Sequence, residues 1–351
     1  MRGAALVTNP VLVELIRGGA VESFHRGAVA VIDASGGAVA SLGDVDRPVF
    51  PRSAVKALQA LPLVESGAAD RSSLTDEQLA LACASHGGEE RHVRTASSVL
   101  ELAGLDASAL ECGSHWPGNE AASRALARDG GVPTALHNNC SGKHAGFLCV
   151  GCLMAGSRDA RAFLRGYVKA EHPVMREISA ALEAATGFRL ADAPRGTDGC
   201  SIPTFGIPLS ALALGFARFG TGAGLSEGRA RAARRLREAV ATAPFFVAGT
   251  GRFDTRVMER LGQRVFCKVG AEGVYCAAFP ELGIGVALKV DDGNNARAAE
   301  VTMAALVERY VALDEGEAAF MRTLSDVALT NWNGIEVGRL SAAQALRRLG
   351  P

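Results

Sequence analysis

The stretch Pro48-Val49-Phe50-Pro51-Arg52-Ser53-Ala54-Val55-Lys56 is where the chain turns from strand to helix. Pro48 and Pro51 hold the backbone extended, and an apolar helical pattern begins near Ser53. Ser53 and Lys56 stand three residues apart, on one face of a helix, so hydroxyl and amine can meet. A serine becomes a nucleophile when a base takes its proton, and a neutral lysine is such a base. The dipole and free N–H groups of a helix N-terminus also favour negative charge developing at Ser53. The same residues fit an exposed lysine one turn past a helix-start serine. The decision rests on what the rest of the chain supplies.

Upstream, residues 11–17 and 21–34 are rich in Val, Ile and Ala, and Ser35-Gly36-Gly37 supplies a turn before Ala38-Val39-Ala40. That pattern predicts an antiparallel hairpin. Downstream the chain reads as mostly helical to about Gly262. Thr75-Asp76-Glu77-Gln78 resembles a capping box, and helices follow over 90–102, 119–128, 143–154, 160–170, 174–185, 209–219 and 227–240. Three short strands then appear at 265–269, 274–278 and 284–288, followed by a helix over 295–313. Five strands from the two ends of the chain predict one antiparallel sheet in an α+β (α/β sandwich) fold. In this reading 1–351 form a single unit, with a sheet lobe from 1–52 and 263–351 and a mainly helical lobe over 53–262.

Bulk properties narrow the function classes. The chain has 351 residues, long enough for a large core. Lys plus Arg equals Asp plus Glu, 37 each, which argues against nucleic acid or an anionic membrane as the main partner. Leu6 to Ile16 is broken by Asn9, Pro10 and Glu14 and does not read as an export signal. Eight cysteines without such a signal read as reduced thiols, and the protein as cytoplasmic.

Other polar groups stand where this fold can gather them. Ser85 follows a predicted helix and sits beside Gly87 and Gly88, where backbone can approach a ligand; it also fits a turn hydroxyl bonded to its own backbone. Lys268 lies in a strand with Phe266, Cys267 and Val269. Facing inward it is costly unless paired or used; on an edge strand it can face solvent. Asn138-Asn139-Cys140-Ser141-Gly142-Lys143-His144-Ala145-Gly146 and Asp198-Gly199-Cys200-Ser201 present thiols, an amine, an imidazole and a carboxylate in loops. Two loop cysteines plus a nitrogen donor suit zinc, although the spacing matches no zinc-finger pattern and buried reduced thiols fit as well. Cys149 and Cys152, with Cys83, Cys112, Cys267 and Cys276, read as small core residues.

Taken together, Pro51 to Lys56, Cys83 to Gly88, Asn138 to Gly146, Asp198-Gly199-Cys200 and Cys267-Lys268-Val269-Gly270 resemble the rhizobial-type (class 3) L-asparaginases, in matching order. That resemblance implies a fold similar to serine β-lactamases and serine glutaminases. It implies two serine–lysine tandems, Ser53 with Lys56 and Ser85 with Lys268, and zinc held by Cys140, Lys143 and Cys200. Arg52, His144 and Asp198 match positions near that site, as substrate-binding residues. The implied reaction is hydrolysis of the side-chain amide of L-asparagine, and the implied assembly a homodimer. A serine glutaminase, a β-lactamase or penicillin-binding-type hydrolase, and a non-catalytic amino-acid sensor are the competing readings.

Overall fold

The computed structural model describes residues 8–350, so residues 1–7 and Pro351 of the expected sheet lobe lie outside the described residues. Eight strands form one curled antiparallel sheet: β1 (Val11–Arg17), β2 (Ala20–Asp33), β3 (Ala38–Leu42), β4 (Phe266–Val269), β5 (Val274–Phe279), β6 (Ile284–Val290), β7 (Asp326–Thr330) and β8 (Glu336–Ala342). Their order is β7-β8-β1-β2-β6-β5-β4, with β3 on β2. The 14-residue β2 is the spine: its first half pairs with β1, while its second half lies between β6 and β3.

The sheet is therefore larger than the five strands expected. Three strands lie beyond that number: the N-terminal segment forms three strands, not two, and β7 and β8 add two more, with β7 and the first half of β8 exposed or half-buried. The clearest strands in the sequence are those buried on both faces. Gly27 to Ile32 of β2 and every residue of β4 and β5 are buried, and such continuous apolar runs need cover on both sides.

Helix 209–221 supplies part of that cover, lying on β2, β5 and β6. It approaches so closely that a Cβ on Gly285 of β6 would stand 2.0 Å from the Ala213 carbonyl oxygen. Only glycine fits there. Helices 300–310 and 315–325 pack on β8. The expected helix at 295–313 opens with a π-turn over Asn295–Ala299 and ends at Tyr310. The Thr75–Gln78 capping box is present and opens helix Asp76–Ala82. Two short strand pairs, Pro48–Val49 with Ile207–Pro208 and Arg195–Thr197 with Pro203–Phe205, interrupt the helical middle.

Candidate active site

The turn after Pro51 is tighter than the α-helix expected: Arg52–Val55 is 3-10, continued by a single helical turn at Lys56–Gln59. In a 3-10 turn residues i and i+3 eclipse, which keeps Ser53 and Lys56 on one side. Arg52 itself adopts φ +50°, the left-handed region that disfavours a side chain with a Cβ. Its guanidinium Nε donates to Asp198 Oδ1, and that contact ties the turn to the loop opposite.

Four elements close around a cavity of about 380 Å³. Its wall includes Arg52, Ser53, Ser85, Cys140, Asp198 and Cys200. Ser85 is fixed by its backbone N–H, which donates to the Val247 carbonyl at 2.8 Å. Asp198 and Cys200 sit at the tip of the 195–205 hairpin, where Asp198 N donates to Ile202 O at 2.8 Å. Gly270, just after β4, lets that strand press on the turn; a Cβ there would lie 2.8 Å from Pro51 O.

Two lysines converge on one hydroxyl. Lys56 Nζ donates to Ser85 Oγ (2.9 Å), Ala84 O (2.5 Å) and Asn139 O (3.3 Å). Lys268 Nζ donates to the same Ser85 Oγ (3.0 Å) and to Val269 O (2.7 Å). Ser53 shares the cavity with Ser85, but the hydrogen bonds of Lys56 go to Ser85 and two carbonyls, not to Ser53. Lys268 lies on the edge strand β4 and is nonetheless fully buried, because helix Phe253–Leu261 and the 52–55 turn cover it.

Burial sets the protonation of these amines. It brings the Lys268 pKa down to about 7, with Asp254 opposing the shift and Lys56 adding to it. Lys56 is likewise lowered, first by burial. Lysine is scarce in this chain, five residues against 32 arginines, and three of the five (Lys56, Lys143 and Lys268) are buried here. Arginine keeps its charge at any working pH, whereas a desolvated lysine can give it up. That scarcity is a signal legible in the sequence alone.

The sulfur cluster adjoins this centre. Lys143 Nζ lies 3.1 Å from Cys200 Sγ. The Cys140 thiol sits well below its ordinary pKa through a hydrogen bond from Cys200, with Lys143 and Lys56 reinforcing it, and Cys200 is raised in turn. Burial works against the Asp198 carboxylate, but the Lys143 and Arg52 charges hold its pKa below the usual value. The pair of thiols with an adjacent amine is a donor set of the kind zinc accepts. Among the described residues no group of three His, Cys, Asp or Glu side chains is disposed to hold a metal, so the amine is needed to complete the set.

His144 stands apart from the cavity wall: it is fully buried, with Nδ1 2.6 Å from the Tyr167 hydroxyl. Sequence reasoning missed Asp254 and Tyr275. Asp254 is 1% exposed, accepts hydrogen bonds from the Tyr275 hydroxyl and Val269 N, and lies 3.9 Å from Lys268 Nζ. His86, His115, Asn139, Arg252 and Asn295 also border the cavity.

The family described as L-asparaginase II matches residues 13–342. No curated protein matches the chain. Solved structures similar to it include Mglu in its native form, at 18% identity and a TM-score of 0.36, covering 83% of this chain and 66% of that one. A second Mglu crystal structure gives 16%, 0.33, 78% and 64% in the same order. Mglu in the presence of 4.3 M NaCl gives 18%, 0.32, 78% and 58%. The chain spans just under two thirds of the length of these proteins.

Proposed function

Because the chain belongs to the L-asparaginase II family, we propose that it is an amidohydrolase that converts L-asparagine to L-aspartate and ammonia by a serine–lysine mechanism. The observation that carries this reading is the pair of buried lysine amines on Ser85 Oγ, opening onto a cavity shared with Ser53. Non-catalytic recognition of an amino acid has no need of amines desolvated toward neutrality.

Ser53 attacks the amide carbon, and its proton passes to the neutral Lys56 amine. Its N–H, in the first turn after Pro51, has no intrahelical acceptor and suits the developing oxyanion. As the C–N bond breaks, Ser85 gives its proton to the departing nitrogen and is reprotonated by the Lys56 ammonium. Water then cleaves the β-aspartyl ester, its proton passing through Ser85 to Lys268 and back to the Ser53 oxygen. Ser85 contacts both amines and so joins the two halves of the cycle.

Arg52 and Asp198, paired on the cavity wall, offer opposite charges to the two ends of an amino acid. Cys140, Cys200 and Lys143 would hold zinc, which when bound would polarise and position the substrate's polar end. The same reading takes the chain as one serine β-lactamase-like unit, supported by the sheet drawn from both ends of the chain with Lys268 on its edge strand. A cytoplasmic homodimer is part of this reading.

The two contacts on Ser85 favour a second assignment, with Ser85 as nucleophile and Ser53 as helper. Rapid acid quench during asparagine turnover, followed by peptide mass spectrometry, decides between them. A β-aspartyl adduct is expected on the Ser53 peptide; an adduct on the Ser85 peptide reverses the roles. Ammonia release from asparagine but not from a chromogenic β-lactam is expected in parallel, and absence of release from both asparagine and glutamine overturns the reading.

A further inference from the structure

Behind Lys268 lies a carboxylate that the reaction above does not use. Asp254, on helix Phe253–Leu261, is 1% exposed and does not border the cavity. Its Oδ1 accepts the Tyr275 hydroxyl from β5, and its Oδ2 accepts Val269 N at 3.2 Å while standing 3.9 Å from Lys268 Nζ. A buried carboxylate is expensive unless hydrogen-bonded and paired. Here the hydrogen bonds hold it beside the amine and off the cavity wall.

We infer that Asp254, held by Tyr275, is the positioning residue that aims the Lys268 amine at Ser85 and balances the charge when that amine takes up a proton. The inference rests on the amidohydrolase reading for its catalytic consequence, while the link between Asp254 and Lys268 stands on geometry alone. Among the described residues Asp254 is the one carboxylate within ion-pair distance of Lys268.

The other groups facing the pair do not replace it: the Cys140 sulfur also favours a proton on Lys268, but less than Asp254 does. Lys56 and Arg252 are cationic neighbours that oppose a proton on Lys268. Cys83, Cys267 and Cys276 stay as thiols, since burial raises all three. Glu300 faces Asp254 rather than the amine, and burial raises its carboxyl too. Tyr275 completes the set, donating its proton to Asp254. The proton balance is simple: neutral Lys268 gains the proton that water delivers through Ser85, becomes an ammonium against Asp254, and returns it to the Ser53 oxygen.

The test labels the five lysines with ¹³Cε, assigns the Lys268 signal with Lys268→Met, and titrates wild type, Asp254→Asn and Tyr275→Phe. Ammonia release from asparagine is followed over the same pH range. For Asp254→Asn the Lys268 midpoint is expected to fall by about one pH unit or more. The acid limb of kcat/KM should move with it, and kcat should drop on the order of 10–100-fold with little change in KM. Tyr275→Phe keeps both members of the ion pair but removes a donor that holds the anion, so the Lys268 midpoint should shift in this variant as well. That variant also serves where Asp254→Asn fails to fold. An unmoved Lys268 midpoint in the folded variants overturns the inference. Should the midpoint move while wild type releases no ammonia, the amidohydrolase reading falls and the Asp254–Lys268 link stands.

Discussion

Lys56 and Lys268, 212 positions apart in the chain, donate hydrogen bonds to the same oxygen, Ser85 Oγ, at 2.9 and 3.0 Å. One hydroxyl between two buried amines can accept from one and donate to the other only if the second is neutral. A lysine left at its ordinary pKa of roughly 10.4 would be almost wholly cationic near neutral pH, and freeing the base would cost about 4–5 kcal/mol. Desolvation lowers both here, Lys268 to about 7.

Replacing either amine should therefore stop turnover without loss of fold. Lys56→Met and Lys268→Met are expected to lower kcat on the order of 10²–10⁴-fold, with melting temperatures at or above wild type because a buried amine has been removed. Ammonia release and thermal melts read both. Activity above a tenth of wild type in Lys56→Met rules it out as the base.

Activity should rise with pH through about 7 as Lys268 loses its proton. Stability follows the same sign: the folded pKa is about 7 and the unfolded one roughly 10.4. Between those values the unfolded chain binds more protons, so stability falls as pH drops through the window and levels off below it. Urea midpoints at pH 6, 8 and 9.5 in wild type and Lys268→Met check this. The Met variant should show the shallower pH dependence.

The Arg52–Asp198 pair should act mainly on binding. Asp198→Asn and Arg52→Ala are expected to raise KM for asparagine about tenfold or more, with the smaller effect on kcat. A fall in kcat at unchanged KM would move both residues from substrate binding to the chemical step.

Metal content follows the sulfur cluster. Protein purified with zinc present should carry one metal per chain, and Cys140→Ala, Cys200→Ala and Lys143→Met should each lower that content, read by elemental analysis. Equal metal in wild type and all three variants would remove zinc from this site.

Gly285 offers a check on the fold itself. Gly285→Ala places a methyl against the backbone of helix 209–221 and should cost about 1–3 kcal/mol, read by denaturant midpoint. The site lies on other elements, so kcat of the folded fraction should hold.

Much of this was legible because the chemistry comes in short local segments. Ser53 with Lys56, Ser85 beside its glycines, and Lys268 among apolar neighbours each announce an unusual local environment. What the sequence hides is contact between segments. Ser53 and Lys56 invite pairing by spacing, yet the amine finds Ser85, supplied by another helix end. Asp254 sits in Phe253-Asp254-Thr255-Arg256, where the charges suggest a solvent face; only packing against β4 buries it. Strands β7 and β8 carry a turn signal in Asn333-Gly334, but flanking residues such as Thr330 and Glu336 are exposed, so apolar periodicity gives little sign of them.

The same scarcity of lysine that marks the site also leaves the outside of the protein nearly bare of side-chain amines. With Lys56, Lys143 and Lys268 enclosed, a reagent that acylates lysine meets one open side chain, Lys169, and one half-covered, Lys289. Neither borders the cavity. Attachment to a polymer or solid support through lysine side chains would thus fall on at most two positions, neither lining the cavity, a property that enzymes with lysine-rich surfaces lack.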